Sequence, residues 1–203
     1  LARRRIALAS QIKKKTEETM PRLFTGLEVP DDVALDLQIM QGGVPGARWM
    51  DSSQYHLTLR FIGDIETGLA REIAHGLDAM QVRPFQITLK GVGLFGGNKP
   101  HSIYAGVEEN AELKRLHELH ERLCQVLGLA AEPRRFVPHV TLARLKDPEP
   151  RALQRWIEVH SLYRSATFTV RRFVLFSSRP LKGGGPYAVE ESYAMGSMME
   201  AVA

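Results

Sequence analysis

Two short stretches of the chain carry residues suited to chemistry at neutral pH. The first is His56-Leu57-Thr58-Leu59-Arg60, and the second, 83 residues later, is His139-Val140-Thr141-Leu142-Ala143-Arg144. In a β-strand, residues two apart share a face, so each stretch would show an imidazole and a hydroxyl on one side and aliphatic side chains on the other. Two imidazoles with pKa values near their usual 6.5 can act as acid and base, one protonated and one neutral. Threonine hydroxyls donate to a non-bridging phosphate oxygen without adding charge, and a guanidinium fork matches phosphate geometry. This set suits in-line displacement at a phosphodiester. One histidine would deprotonate the attacking water and the other would protonate the departing oxygen, with no metal or other cofactor. With 7 His and 9 Thr in the chain, one His followed two places on by Thr is expected about 0.3 times by chance. Two copies in matching apolar frames stand well clear of that.

Other chemistries fit less well. Zinc needs three or four ligands, and each stretch offers one histidine with no Cys, Asp or Glu in register. No G-x-S-x-G elbow presents a nucleophilic serine. Two satisfied core histidines would be the bland alternative. His117, His120 and Cys124 fall at helical spacing, but they flank a leucine stripe and are expected on a solvated helix edge. His75, His101 and His160 are given no role. Phe24, Trp49 and Tyr55 lie near the two stretches and could stack a base, although core packing is preferred for Phe24 and Trp49.

The elements that must position these residues alternate between strand and helix signals. Strands are expected at 23–29, 55–62, 85–94, 103–107, 137–145, 167–177 and 187–193. Helices are expected from an Asp31/Asp32 N-cap to about Met40, and over 66–80, 111–127 and 153–160. The third of these carries Leu113, Leu116, Leu123 and Leu127 on one stripe and closes at Gly128. Turns fall at 96–100 and 183–186. If a strand near 132–134 is allowed, each half of the chain repeats one order of elements. That predicts an internal duplication: an α+β fold of two pseudo-twofold-related lobes, each an antiparallel sheet with helices on its outer face, and a cleft between them.

Composition bounds the partners. The chain has 203 residues, with 44% hydrophobic, 25% charged and a single cysteine, which fits a soluble globular protein of a reducing cytoplasm without a disulfide framework. No apolar run approaches the roughly 20 residues needed to span a membrane. The formal charge of +4 resides in residues 1–19, which hold six basic and two acidic side chains and leave 21 of each sign in the rest. Net charge is therefore no argument for nucleic-acid binding, which would need a local basic cleft. Residues 1–19 are read as a basic leader and Met20 as the natural start. Residues 20–195 form a single bilobal domain and 196–203 a flexible tail, and the protein is expected to be a monomer.

The residues resemble the RNA 2′,3′-cyclic phosphodiesterase (2′-5′ RNA ligase) family of two-histidine phosphoesterases. The resemblance runs from Pro21 to Tyr193. It rests on Arg22-Leu23-Phe24, both His-x-Thr copies, Gly91-Val92-Gly93-Leu94-Phe95, the run from Phe136 to Arg144, and Ser177-Ser178 with the glycine-rich loop. It implies a bilobal, metal-independent enzyme that opens RNA 2′,3′-cyclic phosphate ends to 2′-phosphates, some members also joining RNA ends reversibly through 2′-5′ linkages. It implies His139 as base and His56 as acid, with Thr58, Thr141 and Arg144 on the phosphate. In a regular strand Arg144, five residues after its histidine, would face away from it, whereas Arg60, four after His56, would face the same way. Either a bulge re-aims Arg144 or Arg60 holds the phosphate; the resemblance favours Arg144 and leaves Arg60 structural or at the rim. Arg134 and Arg135 could touch an RNA backbone, although exposed arginine is the commoner case. Alternative readings are a phosphodiesterase for small nucleotide cyclic phosphates and a non-catalytic RNA- or nucleotide-binding module.

Overall fold

The computed structural model describes residues 22–178 and 187–196; the leader, the loop at 183–186 and nearly all of the tail lie outside the described residues. The order is β1 (Arg22–Glu28), α1 (Asp31–Ile39), β2 (Ala47–Trp49), a 3-10 turn (Ser52–Gln54), β3 (His56–Gly63), α2 (Thr67–Asp78), β4 (Phe85–Ile87), β5 (Leu89–Phe95) and β6 (Ser102–Val107). There follow α3 (Ala111–Val126), β7 (His139–Leu145), α4 (Pro150–His160), β8 (Phe168–Val170), β9 (Arg172–Ser178) and β10 (Tyr187–Ala194). The fold is α+β with antiparallel sheets.

The main sheet has eight strands in the order β10-β9-β1-β3-β7-β6-β5, with β2 pairing on β7. Its two halves meet at a single pair, Leu57↔Val140 on β3 and β7. The strands are not allotted by sequence half. C-terminal β9 and β10 join β1 and β3, while β5 and β6 from the first half join β7 from the second. The buried sides of all four helices, including Leu37, Leu77, Leu113, Leu116 and Trp156, pack into the same core as Leu57, Leu59, Val140 and Leu142. One face of the sheet is therefore covered by helices, and the opposite face carries the remaining side chains of β3 and β7.

Several sequence expectations are corrected. The segment 85–94 is two strands, because β4 leaves the main sheet to pair with β8 while β5 pairs with β6. Residues 167–177 divide in the same way between β8 and β9. Period-two alternation continues through such a switch of partner, so it cannot reveal one. No strand forms at 132–134, and β7 starts at His139 because Pro138 has no N–H to give a ladder. β2 escapes detection because three residues are too few to show alternation. Pro30 is the N-cap of α1, with Asp31 and Asp32 in the first turn, where carboxylates favour the helix dipole. His120 and Cys124 do not sit on a solvated edge. At 1% and 2% exposure they extend the Leu113–Leu116 stripe into the core, and the imidazole Nδ1 of His120 is 2.8 Å from the hydroxyl of Thr25.

Candidate active site

The pairing at Leu57↔Val140 organises the site. Both residues point into the core, so their neighbours His56, Thr58, His139 and Thr141 stand on the other face, all half-buried. In this antiparallel frame His56 lies across from Thr141 and Thr58 across from His139. The histidines are thus diagonal neighbours, a relation that spans about 7–8 Å in a regular sheet.

Each strand then breaks its alternation at the same place. Along β3, Thr25 pairs with Arg60 and Gly26 with Thr58, so Leu59 is an extra residue. Along β7, Ile103 pairs with Ala143 and Tyr104 with Thr141, so Leu142 is extra. These bulges reverse the facing of the residues that follow, in β3 as far as a second shift at Ile62. Arg144 is brought round to the side of His139 and Thr141, where it is exposed. Among the described residues it makes no ion pair. Arg60 is turned into the interior instead, 5% exposed, ion-paired with Glu121 and donating to the carbonyl of Ala130 at 2.6 Å. Arg60 is therefore a structural residue, away from the face that carries the histidines.

The two imidazoles are held alike. Nδ1–H of His56 donates to the carbonyl of Gln54 at 2.8 Å, and that of His139 to the carbonyl of Val137 at 2.7 Å. A carbonyl can only accept, so the proton of each neutral ring sits on Nδ1 and Nε2 is left with a free lone pair. Aromatic rings back both. His56 lies 5.0 Å from Phe24, 5.5 Å from Phe176 and 4.6 Å from Tyr187, and His139 lies 4.7 Å from Phe95 and 5.5 Å from Tyr104. Two glycines make room for them: a Cβ on Gly26 would stand 3.2 Å from the Phe176 ring, and one on Gly93 would stand 2.5 Å from that of Tyr104. Burial among these rings pushes the pKa of His56 down to about 4, and the neighbouring His139 and Arg144 add to the effect. His139 is lowered too, first by burial and then by Arg144.

A sequence model of the 2′-5′ RNA ligase superfamily matches residues 29–180. The chain belongs to this superfamily. A protein of Aquifex aeolicus named RNA 2′,3′-cyclic phosphodiesterase is 30% identical over 167 residues, 80% of this chain and 86% of that one. One of the same name from Aeropyrum pernix is 37% identical over 110 residues, 53% of this chain and 62% of that one. Among solved structures, a Thermus thermophilus protein superposes with a TM-score of 0.72 at 26% identity, covering 86% of this chain and 97% of its own. E. coli LigT complexed with 3′-AMP has a similar fold, with a TM-score of 0.68 at 19% identity over 86% and 98% of the two chains.

The sheet thus brings five of the six expected site residues to one face and sends Arg60 elsewhere. Phe24 packs under His56, Trp49 lies 5.4 Å from Trp156, and the hydroxyl of Tyr55 accepts from Gln41. Three residues on the histidine face went unnoticed in the sequence. Tyr104 is flanked by the fully buried Ile103 and Ala105, an alternation that marks it as outward-facing. Arg48 pairs across β2 with Arg144 and shares its face. Phe61 holds the place in the first copy that Arg144 holds in the second, five residues after the histidine, which a comparison of the two copies would have exposed.

Proposed function

We propose that this superfamily member hydrolyses RNA 2′,3′-cyclic phosphate ends to 2′-phosphates without a metal, with His56 and His139 as the acid–base pair. The carrying observation is the meeting of both His-x-Thr pairs and Arg144 on one sheet face around Leu57↔Val140. Nε2 of neutral His139 takes a proton from water as its oxygen bonds to phosphorus. The P–O3′ bond breaks on the opposite side, and Nε2–H of protonated His56 supplies the proton to O3′. Thr58, Thr141 and Arg144 hold the non-bridging oxygens, and the charge on Arg144 offsets the negative charge that builds on them. The names of the relatives support the substrate class. Among the described residues no helix is long and apolar enough to cross a membrane. The reading includes a cytoplasmic monomer, which light scattering would check.

The test is turnover of an oligonucleotide ending in a 2′,3′-cyclic phosphate, in EDTA. Wild type should produce the 2′-phosphate, and His56→Ala or His139→Ala should each cost about two to four orders of magnitude in rate. Full activity in either variant would overturn the mechanism.

A further inference from the structure

The backbone carbonyls that hold the two imidazoles are anchored very differently. The one accepting from His56 belongs to Gln54, inside the 3-10 turn Ser52–Gln54. That turn is closed by bonds from the Gln54 N–H to the Asp51 carbonyl at 2.9 Å and from the Tyr55 N–H to the Ser52 carbonyl at 3.1 Å. The one accepting from His139 belongs to Val137, which is 40% exposed and lies in the segment 127–138, outside any helix or strand. Pro138, next to it, has no N–H with which to join a ladder.

The segment 127–138 is tied down from the bulge of β3, where three successive residues each hold a different part of it. Arg60 donates to the Ala130 carbonyl at 2.6 Å. Phe61 carries the Arg134 guanidinium 5.4 Å from its ring centroid. Leu59 acts through α3: its carbonyl accepts from Nδ1–H of the half-buried His117 at 2.8 Å. The His117 ring then stacks on Phe136, with centroids 3.8 Å apart and planes within 3° of parallel. Leu59 is the extra residue of the bulge, and such a residue stands outside the regular pairing, so its carbonyl is open to a side-chain donor.

We propose that His117 is a positioning residue for His139: through its stack on Phe136 it holds the adjoining Val137 carbonyl against Nδ1–H of His139 and so keeps the lone pair on Nε2. The inference rests on the reading above, in which His139 works through Nε2. Phe95 and Tyr104 flank the His139 ring, but flanking rings do not choose between its two nitrogens. A carbonyl does, because it accepts only from the protonated one. With Phe136 displaced, the carbonyl withdraws and the proton divides between Nδ1 and Nε2. A neutral ring protonated on Nε2 has no lone pair there to take a proton from water. His117 belongs to α3, on the helix-covered side of the sheet, so it acts through Phe136 and not on the substrate.

The experiment reads the proton on His139 directly, since long-range proton–nitrogen NMR spectra at pH 8 separate the two tautomers of each neutral imidazole. Wild type should show His56 and His139 both protonated on Nδ1. His117→Gln keeps a donor for Leu59 without a ring, and Phe136→Leu keeps bulk without a ring. Each should move part of the His139 population to Nε2–H and leave His56 unchanged. Each should also lower kcat on adenosine 2′,3′-cyclic phosphate by about 10- to 100-fold, the effect of a small misplacement of a reacting group, with KM within about twofold. The double variant should lose no more than the worse single one, because both break one contact. Absence of hydrolysis by wild type would defeat the reading above, and the NMR comparison would still decide the positioning role. That role is overturned if wild-type His139 carries its proton on Nε2, or if it stays on Nδ1 in both variants. It is overturned equally if His56 shifts along with His139, as in a general loosening, or if the two losses add in the double variant.

Discussion

At the scale of single residues, the unusual feature is that both histidines are disfavoured as cations in the free protein. Aromatic burial and Arg144 lower His56 to about 4 and lower His139 as well, yet the proposed reaction needs one of them to carry a proton. A bound phosphate supplies the missing negative charge, and a cyclic phosphodiester placed between the rings draws the acid's proton back. Because kcat/KM reports ionisations of the free enzyme, its pH profile should peak on the acid side of 6.5. It should fall as pH rises, because His56 is then neutral, and fall again at low pH as His139 gains its proton. Initial rates from pH 4 to 9 would check this, and a maximum above pH 8 would contradict the assignment. Rings that titrate near 6.5 in the free protein, followed by NMR, would contradict the burial argument itself.

At the scale of elements, the paired bulges decide which arginine shares the face of the histidines. Each inserts one residue after the third position of its motif, so side chains four and five places beyond the histidine exchange faces. Arg60 then replaces an apolar residue in the interior and must be compensated there by Glu121 and the Ala130 carbonyl. The two arginines should fail in different ways. Arg60→Ala leaves a carboxylate without its partner and the Ala130 carbonyl without a donor, and should cost about 3–5 kcal/mol of stability, read by urea denaturation. Arg144→Ala should leave the unfolding midpoint within about 0.5 kcal/mol of wild type, as expected of an exposed side chain, while cutting turnover at least tenfold. If Arg60→Ala lost turnover without losing stability, the facing inferred from the bulges would be wrong.

At the scale of the whole molecule, the active face is the uncovered side of a sheet whose other side is a single core. The C-terminal strands close it: β9 and β10 supply Phe176 and Tyr187 behind a histidine on β3, and Tyr193 packs on Phe173 at 5.2 Å. That core also carries a titrating group, since burial holds His120 at about 3. Between each depressed pKa and about 6.5, the unfolded chain binds protons at His120 and His56 that the native state refuses. Stability is therefore complete above pH 6.5 and declines as pH falls, with each group contributing about 1.4 kcal/mol per pH unit inside its window. Denaturation at pH 7, 6 and 5 should show this decline. His120→Asn, which keeps a donor near Thr25 but does not titrate, should remove about one proton's worth of the slope; an unchanged slope would mean that His120 is reached by solvent.

The placing of each histidine with its threonine on one strand face, and the α+β class, were legible in the sequence because they depend on short-range periodicity. His56, Thr58, His139 and Thr141 share faces with their own neighbours through two-residue alternation, and the helices announce themselves over two or more turns. Three kinds of fact were not legible. Which arginine faces the histidines depended on bulges, and a bulge is fixed by the partner strand's register. The composition of each half of the sheet depended on which strands pair, and β5, β6, β9 and β10 cross between sequence halves because hydrogen-bonding edges select partners by proximity in three dimensions. Finally, the burial of His120 and Cys124 and the stacking of Arg134 over Phe61 join residues far apart in the chain. Such contacts depend on packing, which local pattern does not encode.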